Sequence, residues 1–296
     1  GIIAIQFQAI GRILAMVSGT QGPSVVIMAA TIVILYSSFG GVRAVTFTDV
    51  LQFVTFIVFM LTLVYIAWNH LPHAEEQVAT VLATKTSDLQ KMMSSGSISP
   101  TFLFLLFYNI NPSLGPAMFQ RVLMAYDTEQ ARQAFTFAAC IHTLIISLLA
   151  WLAILLLATN PNLQSSNLTL YVIDHYVYVG FKGLTVVGIA ALAMSTADSE
   201  LNACAVLAAH DLLKPLFPSW KVSITAARVC AVLIGTASLC LALHEGDILS
   251  LLLNTASFYM PIVTVPLLMA ILGFRSSPRA ALIGMLACAS TVWGWD

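Results

Sequence analysis

Charged residues are scarce in this chain. Asp, Glu, Lys and Arg make up 8% of the 296 residues, whereas hydrophobic residues make up 59%. Soluble domains carry about 25% charged residues, so this composition excludes an ordinary soluble domain and predicts an integral membrane protein. The formal net charge is −1, and no basic patch interleaved with aromatic residues occurs. The sequence therefore predicts no nucleic-acid partner.

Cysteine is also infrequent, and its spacing excludes the usual cysteine chemistry. The five cysteines all fall within apolar runs, and no two of them form a CxxC pair. We interpret them as small apolar core residues and not as disulfides or metal ligands. The sequence contains no Ser/His/Asp or Cys/His arrangement that predicts catalysis, so we do not expect an enzyme.

Apolar runs long enough to cross about 30 Å of hydrocarbon recur along the chain. They lie at 23–39, 47–68, 101–124, 134–158, 181–210, 222–243 and 247–272, and incomplete runs lie at 2–17 and 281–296. The chain begins without Met and stops inside an apolar stretch. We therefore expect a single multi-pass transmembrane domain over residues 1–296 that is a segment of a longer protein.

The distribution of lysine and arginine predicts which side faces the cytoplasm. Taking alternate connections as one side gives eight basic residues there and three on the other, so we assign the richer side to the cytoplasm. The loop 70–100 and the segment 159–180 then face outward and are candidates for short amphipathic helices. The cytoplasmic set is Arg43, Arg121, Arg132, Lys214, Lys221, Arg228, Arg275 and Arg279, and the other set is Lys85, Lys91 and Lys182.

Polar residues interrupt the run 181–210 at helical spacing. Ser195, Asp198, Ser199 and Asn202 fall at i, i+3, i+4 and i+7, which places them on one face of a helix. A charge at membrane depth costs roughly 2.5 kcal/mol or more, so Asp198 needs a partner, a cation or water. The stripe predicts part of a binding site or permeation path.

Prolines interrupt two other runs. The segment 107–117 holds two prolines, a glycine and two asparagines, which predicts unwinding near 111–116; a simple proline kink is the alternative. Irregular backbone at membrane depth lines cavities in secondary transporters. Pro261 and Pro266 predict a bend in the helix over 247–272.

The segment from Tyr36 to Gln52 contains a Gly-Gly turn that leads into an apolar helix opening with Thr-Asp. Asp49 fits the first turn of that helix, where the helix dipole favours a carboxylate. The alternative is a functional role, because Gln52, Thr55 and Thr62 continue a polar edge along the same span.

Three segments together resemble the sodium:solute symporter family. Tyr36 to Gln52 resembles its Gly-Gly-x-x-Ala-Val-x-x-Thr-Asp-x-x-Gln motif, and Gly115 to Ala125 its Pro-x-x-x-x-Arg-x-x-Ala segment. Ala191 to Asp211 resembles its Met-Ser-Thr-x-x-Ser-x-Leu-Asn helix. The resemblance implies an all-α integral membrane protein with a leucine-transporter-like bundle of two inverted five-helix repeats. By this alignment the chain runs from the third to the tenth core helix. The first core helix, which in this family helps to build the substrate and sodium sites, is not part of it.

The resemblance implies two sodium positions. Ser195 and Thr196 match the hydroxyl pair of the common site, with the backbone carbonyl of Leu192 as a third ligand. Some members hold a second sodium ion at positions that correspond here to Asp49, Asp198 and Ser199. Oxygen ligands suit Na⁺, but two carboxylates more than neutralise one ion, so H⁺ coupling at Asp198 stays an alternative.

The resemblance also bears on the solute. Sugar-transporting relatives carry Asn-Gln-Tyr before the arginine of the second motif, whereas this chain has Gly-Pro-Ala at 115–117. This difference favours a small organic acid or an amino acid. We expect solute contacts from Asn109, Asn111 or Ser113; alternatively, these side chains only satisfy freed backbone groups.

The sequence thus predicts a sodium-coupled symporter of a small-molecule solute in the lipid bilayer of a bacterial inner membrane. The alternative is the symporter-like membrane input domain of a sensor histidine kinase, with C-terminal signalling domains in the parent chain. A transport-inactive homologue is a third interpretation, but the intact hydroxyl and carboxylate positions argue against it.

Overall fold

In a computed structural model of the protein, the described residues form α-helices and short π-helical segments. The described residues are 1–19, 22–71, 73–94, 103, 114–160, 163, 171–172, 179–218, 223–244 and 248–294. The helices are α1 (Ile2–Ser18), α2 (Pro23–His70), α3 (Ala74–Ser94), α4 (Pro116–Leu123), α5 (Thr128–Thr159), α6 (Val179–Leu207), α7 (Ile224–His244), α8 (Ile248–Tyr259), α9 (Val265–Ile271) and α10 (Pro278–Trp293). No strand occurs within these ranges. The prediction of an all-α membrane protein is confirmed.

Five helical segments are long and apolar enough to cross a membrane. They are Pro23–Gly41, Val45–His70, Thr128–Thr159, Ile224–His244 and Ile248–Ile271. Each coincides with a predicted apolar run, and α6 coincides with the predicted run 181–210. Most of the predicted run 101–124 lies outside the described residues. Helix α3 lies within the loop 70–100, for which an amphipathic helix was predicted.

Helix α2 consists of two helical spans that meet at the predicted Gly-Gly break. Gly41 has non-helical backbone angles of φ 65° and ψ 177°. Glycine reaches this region because it lacks a Cβ. The second span begins at Val45, so Asp49 lies in its second turn and not in its first turn as predicted. The helix dipole therefore does not explain the position of its carboxylate.

Helix α6 lies at the centre of the first of two cores. It packs against α1, α2 and α7, and small side chains form much of the contact surface. Ala197 and Leu201 are completely buried in this core. Small residues let helices approach closely, which is how packing stabilises helix pairs in a membrane. This close packing holds the polar stripe of α6 against α2.

A second core joins the later half of α2 to α5. Phe59, Leu155 and Leu156 are buried in it, and Trp68 stacks on Trp151 with ring centroids 6.0 Å apart. The large side chains in this core contrast with the small ones around α6. The outer face of α5 remains apolar and exposed, as expected for a helix that meets lipid.

Prolines shape the two irregular regions that the sequence predicts. A π-helical segment, Met260–Thr264, contains Pro261 and separates α8 from α9, which confirms the predicted distortion. Leu114 and Gly115 are not helical, and α4 begins at Pro116. The Tyr259 hydroxyl donates to the Leu114 carbonyl at 2.9 Å, so a freed backbone oxygen is satisfied by the neighbouring helix.

Candidate functional site

Asp49 on α2 is the centre of a polar cluster that joins three helices. Its Oδ1 accepts a hydrogen bond from Ser195 Oγ on α6 at 2.5 Å. Its Oδ2 accepts from Arg121 Nη2 on α4 at 2.8 Å and from Ser199 Oγ on α6 at 3.2 Å. Ser195 and Ser199 are one helical turn apart, so α6 presents both hydroxyls to the same carboxylate.

Arg121 connects the cluster to the first turn of the second α2 span. Nη1 donates to Thr46 Oγ1 at 2.8 Å, and Nη2 also donates to Ser199 Oγ at 3.0 Å. The side chains of Arg121 and Asp49 are 32% and 23% exposed, which makes this a half-buried ion pair. From the sequence, Arg121 is predicted only as a cytoplasmic charge and as part of a motif. The position of Arg121 within an apolar segment was the sequence feature that indicated a buried partner.

Asp198 lies next to this cluster and has a different environment. Its side chain is completely buried, and neither carboxylate oxygen has a hydrogen-bond partner among the described residues. Asp49 and Arg121 are close enough to interact with it electrostatically. The backbone N–H of Ser199 and the Tyr36 hydroxyl also lie near its carboxylate, although the Tyr36 hydroxyl bonds to Thr48 at 2.6 Å. The two carboxylates are therefore in one electrostatic environment, and Asp49 is the one that pairs with Arg121.

The expected common sodium position lies on the same stretch of α6. Thr196 Oγ1 donates to the Leu192 carbonyl at 3.3 Å, so two of the expected ligand oxygens are adjacent. Ser195 uses its proton to bond Asp49, which leaves the lone pairs of its oxygen for a cation. These residues fit a hard cation with oxygen ligands.

The residues expected at the second sodium position contact a protein cation in this structure. Asp49 and Ser199 meet, as the resemblance implies, and the guanidinium of Arg121 donates to both of them. Within the described part of the chain, the carboxylate oxygens of Asp198 make no hydrogen bond to either residue.

The polar edge of α2 is only partly directed at the site. Thr55 and Thr62 donate to carbonyls of their own helix at 2.9 and 2.8 Å, which is the ordinary role of a threonine in an apolar helix. Gln52 Oε1 is buried and has no partner among the described residues. Only the start of the span, with Thr46 and Asp49, enters the cluster.

A cavity of about 400 Å³ adjoins the cluster where α2, α4, α6 and α7 converge. Ser37, Gln120 and Asn202 line it, and Ser37 Oγ donates to the backbone oxygen of Asp198 at 3.3 Å. Asn202, the last member of the predicted stripe, therefore faces this cavity and not Asp49. The expected solute contacts Asn109, Asn111 and Ser113 lie outside the described residues.

Comparison with known proteins gives one family. A sequence model of the sodium:solute symporter family matches residues 1–288, which is nearly the whole chain. No curated protein and no solved structure gives a significant match. The helical architecture, the candidate spans and the polar cluster on α6 agree with this match. The chain belongs to the sodium:solute symporter family.

Proposed function

We propose that this chain is the membrane domain of a bacterial inner-membrane symporter that couples the uptake of an amino acid or a small organic acid to sodium. Family membership supports sodium-coupled solute transport in general. The observation that carries the finer proposal is the contact of the Ser195 hydroxyl with Asp49. The next residue, Thr196, lies on the same stretch of α6, and its hydroxyl reaches the Leu192 carbonyl.

The proposed coupling ion is Na⁺, bound by Ser195, Thr196 and the Leu192 carbonyl. When bound, it would supply positive charge beside two carboxylates. Asp49 holds the Ser195 side chain in place through its Oδ1, and α6 packs tightly on α1 and α2, so these groups are oriented by rigid elements. A ligand shifts a conformational equilibrium only if it binds one state better than the other. Ion binding would therefore favour one state through the contacts between α6 and its neighbours.

The proposed solute position lies near the non-helical backbone before α4. A cavity of about 570 Å³, within the range of about 300–1,000 Å³ of small-molecule sites, is lined by Asn254, Thr255 and Tyr259. Tyr259 bonds to the carbonyl of Leu114, the residue that follows Ser113. This contact joins the residue that follows the predicted solute segment to a side chain that lines the cavity, and the proposal that Asn109, Asn111 or Ser113 contacts the solute rests on the family resemblance.

The test is solute uptake into proteoliposomes that contain the full-length protein. Proline, other amino acids and short organic acids are screened with and without an inward sodium gradient. We expect sodium-dependent uptake of one class, and we expect Ser195→Ala/Thr196→Ala to abolish it. Thr143→Ala/Ser147→Ala is the matched control, because these exposed hydroxyls on α5 donate only to their own helix backbone.

Two outcomes would contradict the proposal. Uptake that is unaffected by the sodium gradient, or that keeps its sodium dependence in Ser195→Ala/Thr196→Ala, would exclude coupling through these hydroxyls. Sodium-dependent solute binding without any uptake would favour the sensor alternative. Reduced uptake in both double variants would indicate a general loss of folded protein.

A further inference from the structure

We infer that the guanidinium of Arg121 is a built-in cation at the second sodium position, so that this chain binds one mobile sodium ion and not two. This inference rests on the proposed sodium coupling. It concerns Asp49 and Ser199, which sodium would ligate at that position and which Arg121 contacts at 2.8 and 3.0 Å.

The geometry gives Arg121 the properties of a bound cation. Its two terminal nitrogens donate to three oxygens: Thr46 Oγ1 and Asp49 Oδ2 on α2, and Ser199 Oγ on α6. Arginine stays charged at every physiological pH, and its planar donors match a carboxylate. A metal ion that joins α2 to α6 would contact the same oxygens. Arg121 thus occupies both the ligands and the charge position of that ion.

Electrostatic repulsion opposes a sodium ion beside this guanidinium. Two unit charges 4 Å apart at an effective dielectric constant of 20 repel by about 4 kcal/mol, which weakens binding on the order of 10³-fold. The local charge count leaves room for at most one mobile cation. Asp49 and Asp198 together carry two negative charges when both are ionised, and Arg121 supplies one positive charge, so a second sodium ion would leave an excess of positive charge.

The test is to count bound ²²Na⁺ ions per molecule of purified full-length protein. We expect about one ion for the wild type and about two for Arg121→Gln and Arg121→Ala, with the Hill coefficient rising from near 1 towards 2. Arg121→Lys keeps the charge and should keep the count at one. Arg132→Ala is the matched control, because Arg132 pairs only with Glu129 on the exposed start of α5.

Competition between free guanidinium and sodium provides a second readout. Millimolar guanidinium ion should displace one of the two ²²Na⁺ ions from Arg121→Gln, and it should displace none from the wild type. Thermal unfolding of each variant identifies any variant that does not fold. If one Arg121 variant does not fold, the numbers of bound ions in the wild type and in the remaining Arg121 variants decide the result.

The outcomes separate this inference from the proposed function. Two ions in the wild type, or one ion in the wild type and in both neutral variants, would overturn the role of Arg121 and leave sodium coupling intact. No specific ²²Na⁺ binding by the wild type would overturn the sodium coupling itself.

Discussion

The Asp49–Arg121 pair should contribute measurably to the stability of the fold. The perturbation is a double-mutant cycle of Asp49→Asn, Arg121→Gln and the double variant, which removes each charge and keeps side chains of similar size. Both single variants leave a charged group without its opposite charge in a half-buried site. We expect the losses of stability in the two single variants to sum to more than the loss in the double variant. The difference is the pairwise coupling free energy that the cycle isolates.

The magnitude follows from the burial of the pair. Opposite unit charges 4 Å apart attract by about 4 kcal/mol at an effective dielectric constant of 20, whereas fully exposed pairs contribute about 0.2–1 kcal/mol. Asp49 and Arg121 are 23% and 32% exposed in their side chains, which is between these limits. Their nitrogen–oxygen distance of 2.8 Å is optimal for a charge-assisted bond. We therefore expect a coupling free energy of about 1–3 kcal/mol.

The assay is the free energy of unfolding of the full-length protein in mixed micelles of a neutral detergent and choline dodecyl sulfate. Choline replaces sodium both in the denaturing detergent and in the buffer, so that sodium binding does not contribute. The control cycle uses Glu129→Gln and Arg132→Gln, an exposed pair on α5 with a nitrogen–oxygen distance of 2.7 Å. A coupling free energy for Asp49 and Arg121 no larger than that of the control would refute the argument from burial.

Two further substitutions test the irregular backbone, with the same unfolding assay. Gly41→Ala should lose about 1–3 kcal/mol, since its backbone angles are essentially restricted to glycine, whereas Gly284→Ala in α10, where an added Cβ meets no atom within 4 Å, should not destabilise the protein. Equal effects would argue against the kink. Tyr259→Phe should cost about 1 kcal/mol through the lost bond to the Leu114 carbonyl. The 69% exposed Tyr65 is the control position, and an unchanged stability in Tyr259→Phe would show that this bond contributes nothing.

Much of the fold could be predicted because membrane helices are specified locally. A run such as 47–68 spans the hydrocarbon and satisfies its own backbone groups, so its length and composition suffice to identify it. The helical spacing of Ser195 and Ser199 likewise fixed their common face without any knowledge of what that face contacts. The motifs that resemble the symporter family were also local, and the family match confirms them.

The candidate site could be predicted only in part, because its partners lie far apart in sequence. Asp49 was predicted as a functional candidate, but its contact with Arg121 joins residues 72 positions apart. No local pattern distinguishes an arginine that faces a loop from one that reaches a carboxylate on another helix. The resemblance named Asp49 and Ser199 as ligands of a second sodium ion, and it did not indicate that Arg121 would contact both of them.

The sequence by itself determined that this chain crosses a membrane, is helical, belongs to a symporter family and carries a stripe of hydroxyls and a carboxylate on α6. These properties depend on composition, period and local motif. Only the tertiary structure decided that Arg121 pairs with Asp49 and that Asp198 is completely buried beside that pair. The physical reason is that α4 and α6 pack on α2 from distant parts of the chain, and which charge neutralises which is settled by that packing.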